Sequence, residues 1–282
     1  MTGDTQQKFA VREFFDRRLG KVARKQLSFF DSFFFEYYSS FVGHAVARLA
    51  SIPSVHLLLD FGCGDGKFSF LSARQRDDIH TVGIDISRHS LRLAQQSIRF
   101  VGVKKRVSWV LCDVEKLPFR HDTFDAVQIV NVIHHLSSFQ PLEGLREVLK
   151  KRAYLLIIDL VSTNPLVFLS RKIWRLIPIY VKRSLRNEGD LVGSKGEIPH
   201  KLWFTSGMLF DYLASAGFEL FKKERKHLFI FSVYYANKIF PLAHYLFPTP
   251  ILYSLYRFEQ VLLSQKPFRK LCHVVVCWCI RK

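Results

Sequence analysis

The sequence predicts an α/β fold with a doubly wound, mostly parallel sheet. The first observation is the continuous apolar run at residues 56–61 (HLLLDF), which is typical of a strand buried on both faces of a parallel sheet. The second is the glycine-rich turn that follows it at residues 62–66. The third is the alternation of strand-like and helix-like segments through the middle of the chain, which is the pattern of repeated βα units.

Strands and helices can be assigned in order from this alternation. The expected strands are residues 56–61, 81–85, 106–113, 124–132 and 154–160, and the expected helices are residues 67–76, 87–102 and 142–151. Ser87 begins the second helix as its capping residue. With 282 residues and 49% hydrophobic content, the chain can bury a sizeable core around such a sheet.

The chain is strongly basic, with 42 Lys plus Arg against 24 Asp plus Glu and a formal net charge of +18. Such a surface favours an anionic partner, which can be nucleic acid, a lipid headgroup layer or an acidic substrate. Charge alone does not choose among the three.

The five cysteines indicate a reducing compartment. Their number is odd, they lie mostly in apolar runs, and no C-x-x-C spacing occurs. Cys277 and Cys279 are expected on one face of a strand without an adjacent histidine, so we expect packing residues and no metal site. The charged N-terminus lacks a signal-peptide core, and the most apolar stretch, residues 239–256, contains three prolines. We therefore expect a cytoplasmic protein without a plain spanning helix.

The glycine turn is placed where doubly wound sheets bind ligands, at the carboxyl end of the first strand. Gly62, Gly64 and Gly66 let the backbone approach a ligand closely. A dinucleotide fingerprint would need glycine at position 67, where this chain has Lys67, and no G-K-[ST] follows for a phosphate loop.

Two acids at neighbouring strand ends add to the glycine signal. Asp85 closes the second strand 19 residues after Gly66, where a carboxylate can accept both hydroxyls of a ribose. Asp113 closes the third strand and can accept from an adenine amino group. Each alone is more often a capping acid, but together with the turn they favour a nucleoside cofactor.

Three stretches resemble motifs of the class I S-adenosylmethionine (SAM) dependent methyltransferases. Residues 57–69 (LLLDFGCGDGKFS) resemble the first motif, and residues 82–87 (VGIDIS) resemble the acidic second-strand motif. Residues 112–136 are similar to the third- and fourth-strand region of the branch that contains quinone and other small-molecule methyltransferases. The resemblance covers approximately residues 55–160.

The resemblance implies the fold and a cofactor site for SAM. The fold is a Rossmann-like, seven-stranded sheet that ends in an antiparallel strand hairpin, which residues 218–228 and 273–282 would supply. Asp60 helps to hold the amino group of SAM, and the methionyl part passes over the turn. The remaining implied residues are Gly62, Gly64 and Gly66 for the turn, Asp85 and Ile86 for the ribose, Asp113 and Val114 for the adenine, and Asn131 for the loop after the fourth strand.

One segment departs from the pattern of these methyltransferases. Before its fifth strand this chain has Lys150-Lys151-Arg152-Ala153, where they usually have Lys-Pro-Gly-Gly. The departure bears on that turn and not on the cofactor site.

Methyl transfer from a sulfonium needs in-line geometry, and a base only where the nucleophile carries a proton. The candidate bases are His134 and His135, which follow the fourth strand at the ligand-bearing edge. A structural role for both is the alternative.

Three segments outside the sheet bear on the substrate. Residues 1–50 are expected to form a helical cover, with Tyr37 or Tyr38 over the cofactor. The methyltransferase domain would then occupy residues 51–282, with helical insertions at approximately residues 161–205 and 229–268.

Both insertions contain segments that could contact a membrane surface. Residues 166–187 combine a basic and an apolar face with a tryptophan, which fits either a headgroup layer or a packed lid. The apolar residues 227–263 fit a subdomain core, an acceptor pocket or a membrane-facing patch.

The leading hypothesis is O- or C-methylation of a small, lipophilic or lipid-linked acceptor at the cytoplasmic membrane face, where residues 166–187 and 227–263 would contact an anionic surface. The alternative is an RNA methyltransferase that uses its basic surface to hold phosphates. The absence of an Asn-Pro-Pro-Tyr motif and of an RNA-binding module argues against RNA. A noncatalytic binding protein is a third hypothesis, which the intact motif residues disfavour.

Overall fold

The computed structural model describes residues 41–101, 105–162, 202–226, 249–265 and 271–282, together with Leu169 and Phe268. These residues form a seven-stranded sheet with the order β3-β2-β1-β4-β5-β7-β6. The strands are β1 (Leu57–Phe61), β2 (His80–Asp85), β3 (Val107–Leu111), β4 (Phe124–Val130), β5 (Leu149–Leu160), β6 (Phe218–Lys226) and β7 (Val274–Arg281). The first five are parallel, and β7 runs antiparallel to both β5 and β6. The predicted fold class is confirmed.

Helices cover both faces of this sheet. They are α1 (residues 41–50), α2 (Lys67–Ala73), α3 (Arg88–Val101), α4 (Pro141–Val148), α5 (Ser206–Ser215) and α6 (Thr249–Ser264), with a 3-10 turn at Ile133–His135. One buried apolar layer contains residues of α4 and α5, and the layer on the opposite face contains residues of α1. A smaller cluster joins α2 and α3 to β3. Such burial on both faces explains why the central strands are mostly apolar.

Side-chain caps begin two helices, of which the cap at Ser87 was predicted. The Ser87 hydroxyl accepts a hydrogen bond from the Ser90 backbone N–H at 3.0 Å and so caps α3. Thr205 caps α5 in the same way by accepting from Met208 N–H at 3.1 Å. The predicted C-terminal hairpin is present as the β6–β7 pair.

The predicted helix over residues 142–151 is wrong at its C-terminal end. The helix ends at Val148, and Leu149 begins β5 by pairing with Phe124 of β4. The register then shifts, so that Ala126 pairs with Tyr154. This bulge contains the Lys-Lys-Arg-Ala segment, and Arg152 adopts a left-handed φ of 62°. Strand pairing with β4 therefore ends the helix early. The helical periodicity of the sequence gives no information about this long-range pairing.

Two predicted strands are also shorter than expected. β4 stops at Val130 because Asn131 has a left-handed φ of 57°. β3 stops at Leu111, so Asp113 lies two residues beyond the strand and not at its last position.

The cysteines are free thiols. Cys277 and Cys279 are buried in the same apolar layer, as the alternation in β7 predicts. Burial raises the pKa of the Cys279 thiol to about 12 and that of Cys277 well above its usual value, so both remain protonated packing groups.

Some predictions concern other parts of the chain. Tyr37, Tyr38, residues 1–40 and residues 166–187 (except Leu169) lie outside the described residues, as do residues 227–248 of the second apolar segment. Within the described ranges, no helix is both long and apolar enough to cross a membrane, and no cluster of three metal-ligating side chains occurs.

Candidate active site

The turn after β1 contains two tightly packed glycines and one open glycine. All three have left-handed φ values, which are 74° at Gly62, 57° at Gly64 and 81° at Gly66. A Cβ at Gly62 would lie 2.6 Å from Cγ2 of Val132, and one at Gly66 would overlap the indole of Trp109. A Cβ at Gly64 would meet nothing within 4 Å. Gly64 is therefore the position at which the backbone of this turn faces open space.

Asp85, the last residue of β2, is hydrogen-bonded to this open position. Its Oδ2 accepts from the backbone N–H of Gly64 at 2.8 Å, and its Oδ1 accepts from that of Ser87 at 2.8 Å. The Cys63 N–H donates to the Ile84 carbonyl at 2.8 Å. These bonds hold a carboxylate beside the exposed backbone of the turn, with the half-buried Ile86 next to it.

Asp60 is a buried carboxylate, 2% exposed, on β1. Burial raises its pKa to about 6, and the charges of Asp85 and Asp65 act in the same direction. The hydrogen bond from Ser69, whose Oγ lies 2.5 Å from Oδ2 of Asp60, opposes the rise. No cationic side chain of the described part forms an ion pair with Asp60, so an ammonium group of a ligand would suit this carboxylate.

Asp113 lies on the loop after β3, on the same edge of the sheet. Its Oδ1 accepts from the Glu115 N–H at 3.0 Å, while Val114 packs partly buried against the core. The Cys112 N–H donates to the Asp85 carbonyl at 3.1 Å, so this loop is joined to the end of β2. The carboxyl ends of β1, β2 and β3 thus form one continuous surface.

The loop after β4 adjoins this surface. Asn131 turns the chain and donates its N–H to the Ile158 carbonyl at 2.8 Å. The next residue, Val132, is the neighbour against which Gly62 packs. The two predicted histidines lie just beyond, in the 3-10 turn.

His134 is 5% exposed, and its Nδ1 lies 2.5 Å from Oδ1 of Asp159 on β5. Asp159 is fully buried. Its Oδ2 also accepts from the backbone N–H groups of Val132 and Ile133, at 2.9 and 2.7 Å, and its Oδ1 accepts from that of Leu160 at 2.7 Å. One carboxylate therefore fixes both the backbone of the turn and the imidazole of His134.

His135 is placed differently. It is half-buried, and its ring makes a tilted contact with that of His134, with centroids 3.9 Å apart and an interplanar angle of 46°. Of these two histidines, His134 lines a small recess at the carboxyl end of β5. The recess is also lined by Leu160, Val161, Ser162, Leu202, Trp203, Phe204 and His273.

Three residues of this edge were not identified from the sequence. Ser69 supports Asp60, Asp159 holds His134, and Trp203 lines the recess while 51% exposed. A signal existed for Asp159, since a lone acid in the apolar run YLLIIDL is unlike a core residue. Ser69 and Trp203 carry no pattern of their own, because only tertiary packing brings them to the site.

Comparison with known proteins agrees with this geometry. Residues 58–152 match the family model described as "Methyltransferase domain". The chain contains a class I SAM-dependent methyltransferase domain. The matched range begins at the second residue of β1 and continues through β4, and it contains the glycine turn with Asp60, Asp85 and Asp113.

Two curated relatives are similar to part of this chain. The chain is 35% identical over 116 residues to the methyltransferase GfsG of Streptomyces halstedii, which is 41% of either chain. It is 31% identical over 125 residues to the 2-phytyl-1,4-naphtoquinone methyltransferase of Trichormus variabilis, which is 44% of this chain and 55% of that one. The match thus spans about half or less of the length of these relatives.

Among solved structures, the magnesium protoporphyrin IX methyltransferase of Synechocystis has a similar fold. Its TM-score is 0.64 at 15% identity, over 98% of this chain and 100% of that chain. At this identity the similarity concerns the fold alone. The fold similarity extends beyond the methyltransferase domain match to the C-terminal hairpin.

Proposed function

We propose that this chain is a SAM-dependent methyltransferase that methylates a small, lipophilic acceptor at oxygen or carbon. The observation that carries the proposal is the open backbone at Gly64 beside the carboxylate of Asp85, within a methyltransferase domain. SAM would lie across this edge, with its amino group at Asp60 and its ribose at Asp85 and Ile86. The adenine would lie along Asp113 and Val114.

Bound SAM supplies a methyl group on a sulfonium, which an acceptor attacks in line with the bond that breaks. The residues of this chain orient the two reactants. Asp60 would neutralise the ammonium group, and the glycine turn with Asn131 would shape the floor of the site. His134 or His135 would accept a proton where the acceptor has one to lose.

A lipophilic acceptor and a location at the cytoplasmic membrane face are part of the proposal. One relative is named as a naphthoquinone methyltransferase, a name that denotes a lipophilic acceptor. In this chain α6 exposes Ile251, Phe258 and Val261 by 44, 58 and 61%. Exposed apolar side chains on a helix of a chain with a net charge of +18 suit an anionic lipid surface. Residues 166–187 and 227–263 would make that contact.

The test of the cofactor site compares two glycines by calorimetric titration with SAM. Gly64→Ala places a methyl group into the open space, whereas Gly217→Ala places one at another left-handed glycine, with φ 84°, at the start of β6. Both variants carry the same kind of backbone strain. We expect Gly64→Ala to lose at least ~10-fold in SAM affinity, equivalent to about 1.4 kcal/mol, and Gly217→Ala to keep it. Equal affinities in all three proteins, or no SAM binding by wild type, would remove the assignment.

A further inference from the structure

Gln128 of β4 lies beside Asp60 in the sheet. The two residues are paired in register between β1 and β4, so their side chains project from the same face. Both are buried, with 0% of Gln128 and 2% of Asp60 exposed. The neighbours of Gln128 along β4, Val127 and Ile129, are apolar. A buried amide in such a strand needs hydrogen-bond partners for its oxygen and for its nitrogen.

Helix α2 supplies a partner for only one end of this amide. Oε1 of Gln128 accepts a hydrogen bond from Oγ of Ser72 at 2.8 Å. Three residues earlier on the same helix, Ser69 donates to Asp60. Nε2 of Gln128 is buried and has no hydrogen-bond acceptor among the described residues. Because a buried donor without an acceptor costs stability, this NH₂ group beside a carboxylate indicates a role.

The charge of Asp60 depends on the groups that face it. Burial raises its pKa, and the charges of Asp85 and Asp65 act in the same direction. The amide of Gln128 acts in the opposite direction, because its NH₂ group favours the charged carboxylate. Burial and the charge of Asp60 hold the pKa of the Cys63 thiol well above its usual value, so this thiol adds no charge. Gln128 therefore offsets part of the effect of burial and of the neighbouring acids.

We propose that Gln128 is a positioning residue, which holds the carboxylate of Asp60 in its charged form for the ammonium group of SAM. The inference rests on the proposed function and deepens it, because binding of SAM then depends on pH through this pair. Only the charged carboxylate attracts the ammonium group, so a protonated Asp60 loses its proton to water when SAM binds. The amide of Gln128 keeps this acid ionised at a lower pH than burial alone would allow.

The first test needs no cofactor. The chemical shift of the side-chain carboxyl carbon of Asp60, assigned against an Asp60→Asn variant, reports the protonation of this acid. Gln128→Met keeps the length of the side chain and removes the amide. In this variant the titration midpoint of Asp60 should rise by ~1 pH unit, because a donor to the charged form is lost. An unchanged midpoint would overturn the proposal.

The second test measures SAM affinity by calorimetry at several pH values. In wild type the affinity should fall ~10-fold from about pH 7 to about pH 5, as the charged fraction of Asp60 falls around a pKa of about 6. Gln128→Met should bind SAM ~10-fold more weakly than wild type at about pH 5 and almost equally at about pH 8. The ratio of the two affinities at each pH cancels any titration of SAM itself. A purely structural loss would instead give one ratio at every pH.

A second variant and a control accompany Gln128→Met. Ser72→Ala removes the hydrogen bond to Oε1 and leaves Asp60 and Gln128 in place, so it should change the affinity ratio in the same direction by less. The control is Thr81→Val on β2. Thr81 is also fully buried, and its Oγ1 has no hydrogen-bond partner in the described part of the chain. Thr81→Val should therefore keep the same ratio to wild type at every pH.

The outcomes separate this inference from the proposed function. If Gln128→Met does not fold, as its melting curve would show, Ser72→Ala provides the test. A ratio to wild type that is constant with pH in the Gln128 and Ser72 variants, or an equal pH dependence in Thr81→Val, would overturn the positioning role and leave the cofactor site standing. Absence of SAM binding by wild type would overturn the proposed function itself.

Discussion

Gly83 of β2 and Trp109 of β3 are paired in register, and the indole ring occupies the space that a side chain at position 83 would need. A Cβ at Gly83 would lie 2.5 and 2.6 Å from Cζ3 and Cε3 of the ring. The same ring lies against Gly66 in the glycine turn after β1 and makes an edge contact with Phe70. Trp109 thus packs against the glycine turn, and its ring fits because positions 66 and 83 are glycines.

Gly83→Ala should therefore destabilise the fold by about 1–3 kcal/mol, because the added methyl group overpacks a site filled by the ring. The free energy of unfolding from urea denaturation measures the loss. In a Trp109→Leu background the same change should cost less, since the ring is gone. Additive losses in this double-mutant cycle would show that the indole is not the obstacle.

Asp60→Asn should change how stability depends on pH. Burial raises the pKa of Asp60 from 3.8 to about 6, so the folded chain binds this proton more tightly than the unfolded chain. The stabilising contribution of Asp60 to the free energy of unfolding is then fully present below about pH 4. This contribution, up to ~3 kcal/mol, is lost as pH rises through the folded-state pKa. Asn is neutral throughout, so the variant should gain stability relative to wild type as pH rises, while losing affinity for SAM.

Urea denaturation of wild type and Asp60→Asn at several pH values, from about pH 4 to above the folded-state pKa, measures the difference in their free energies of unfolding. Asp211→Asn, a change at an exposed acid on α5, is the control. If the difference in free energy of unfolding between wild type and Asp60→Asn does not change with pH, the raised pKa of Asp60 is contradicted.

Arg152→Gly should stabilise the protein by about 0.5–1 kcal/mol. Arg152 is exposed and has a left-handed φ of 62°, a conformation that is strained for a residue with a Cβ and relaxed for glycine. The neighbouring Lys151 is exposed in the same strand without a positive φ, so Lys151→Gly should instead cost about 0.5–1 kcal/mol. Urea denaturation should therefore show changes in the free energy of unfolding of opposite sign for the two variants. A lower free energy of unfolding in both would contradict the prediction.

The exposed apolar side chains of α6 should bind the chain to anionic vesicles. Changing Ile251, Phe258 and Val261 to Ser should weaken cosedimentation with anionic liposomes, because apolar burial contributes affinity that salt does not screen. Wild-type binding should fall as salt rises but persist. Binding to RNA through phosphates alone would fall by orders of magnitude over a modest salt increase.

A triple variant with Leu111, Met208 and Phe221 changed to Ser is the matched control, because it removes apolar groups of other elements that are 43, 49 and 51% exposed. Loss of binding in the control with retention in the α6 variant would place the membrane contact elsewhere. Failure of wild type to bind anionic vesicles would end the membrane hypothesis.

The features that the sequence predicts best are those encoded by neighbouring residues. The buried strands, the glycine turn and the cap at Ser87 follow from local patterns, and the structure contains all three. The end of α4 does not, because Leu149 leaves the helix to pair with Phe124, 25 residues earlier in the sequence. Asp159 likewise gains its role only when β5 lies beside the loop after β4. Sequence motifs thus predict the edge that we propose for the cofactor, whereas the recess at the carboxyl end of β5 depends on contacts between distant segments.

The place of β7 in the sheet constrains the order of folding during synthesis. β6 is made before β7, yet among the strands of the described ranges it pairs with β7 alone, which lies between it and β5. Until residues 274–281 leave the ribosome, one side of β5 and the whole of β6 present unpaired backbone. The nascent chain must keep these two edges apart from each other and from other polypeptides during that interval.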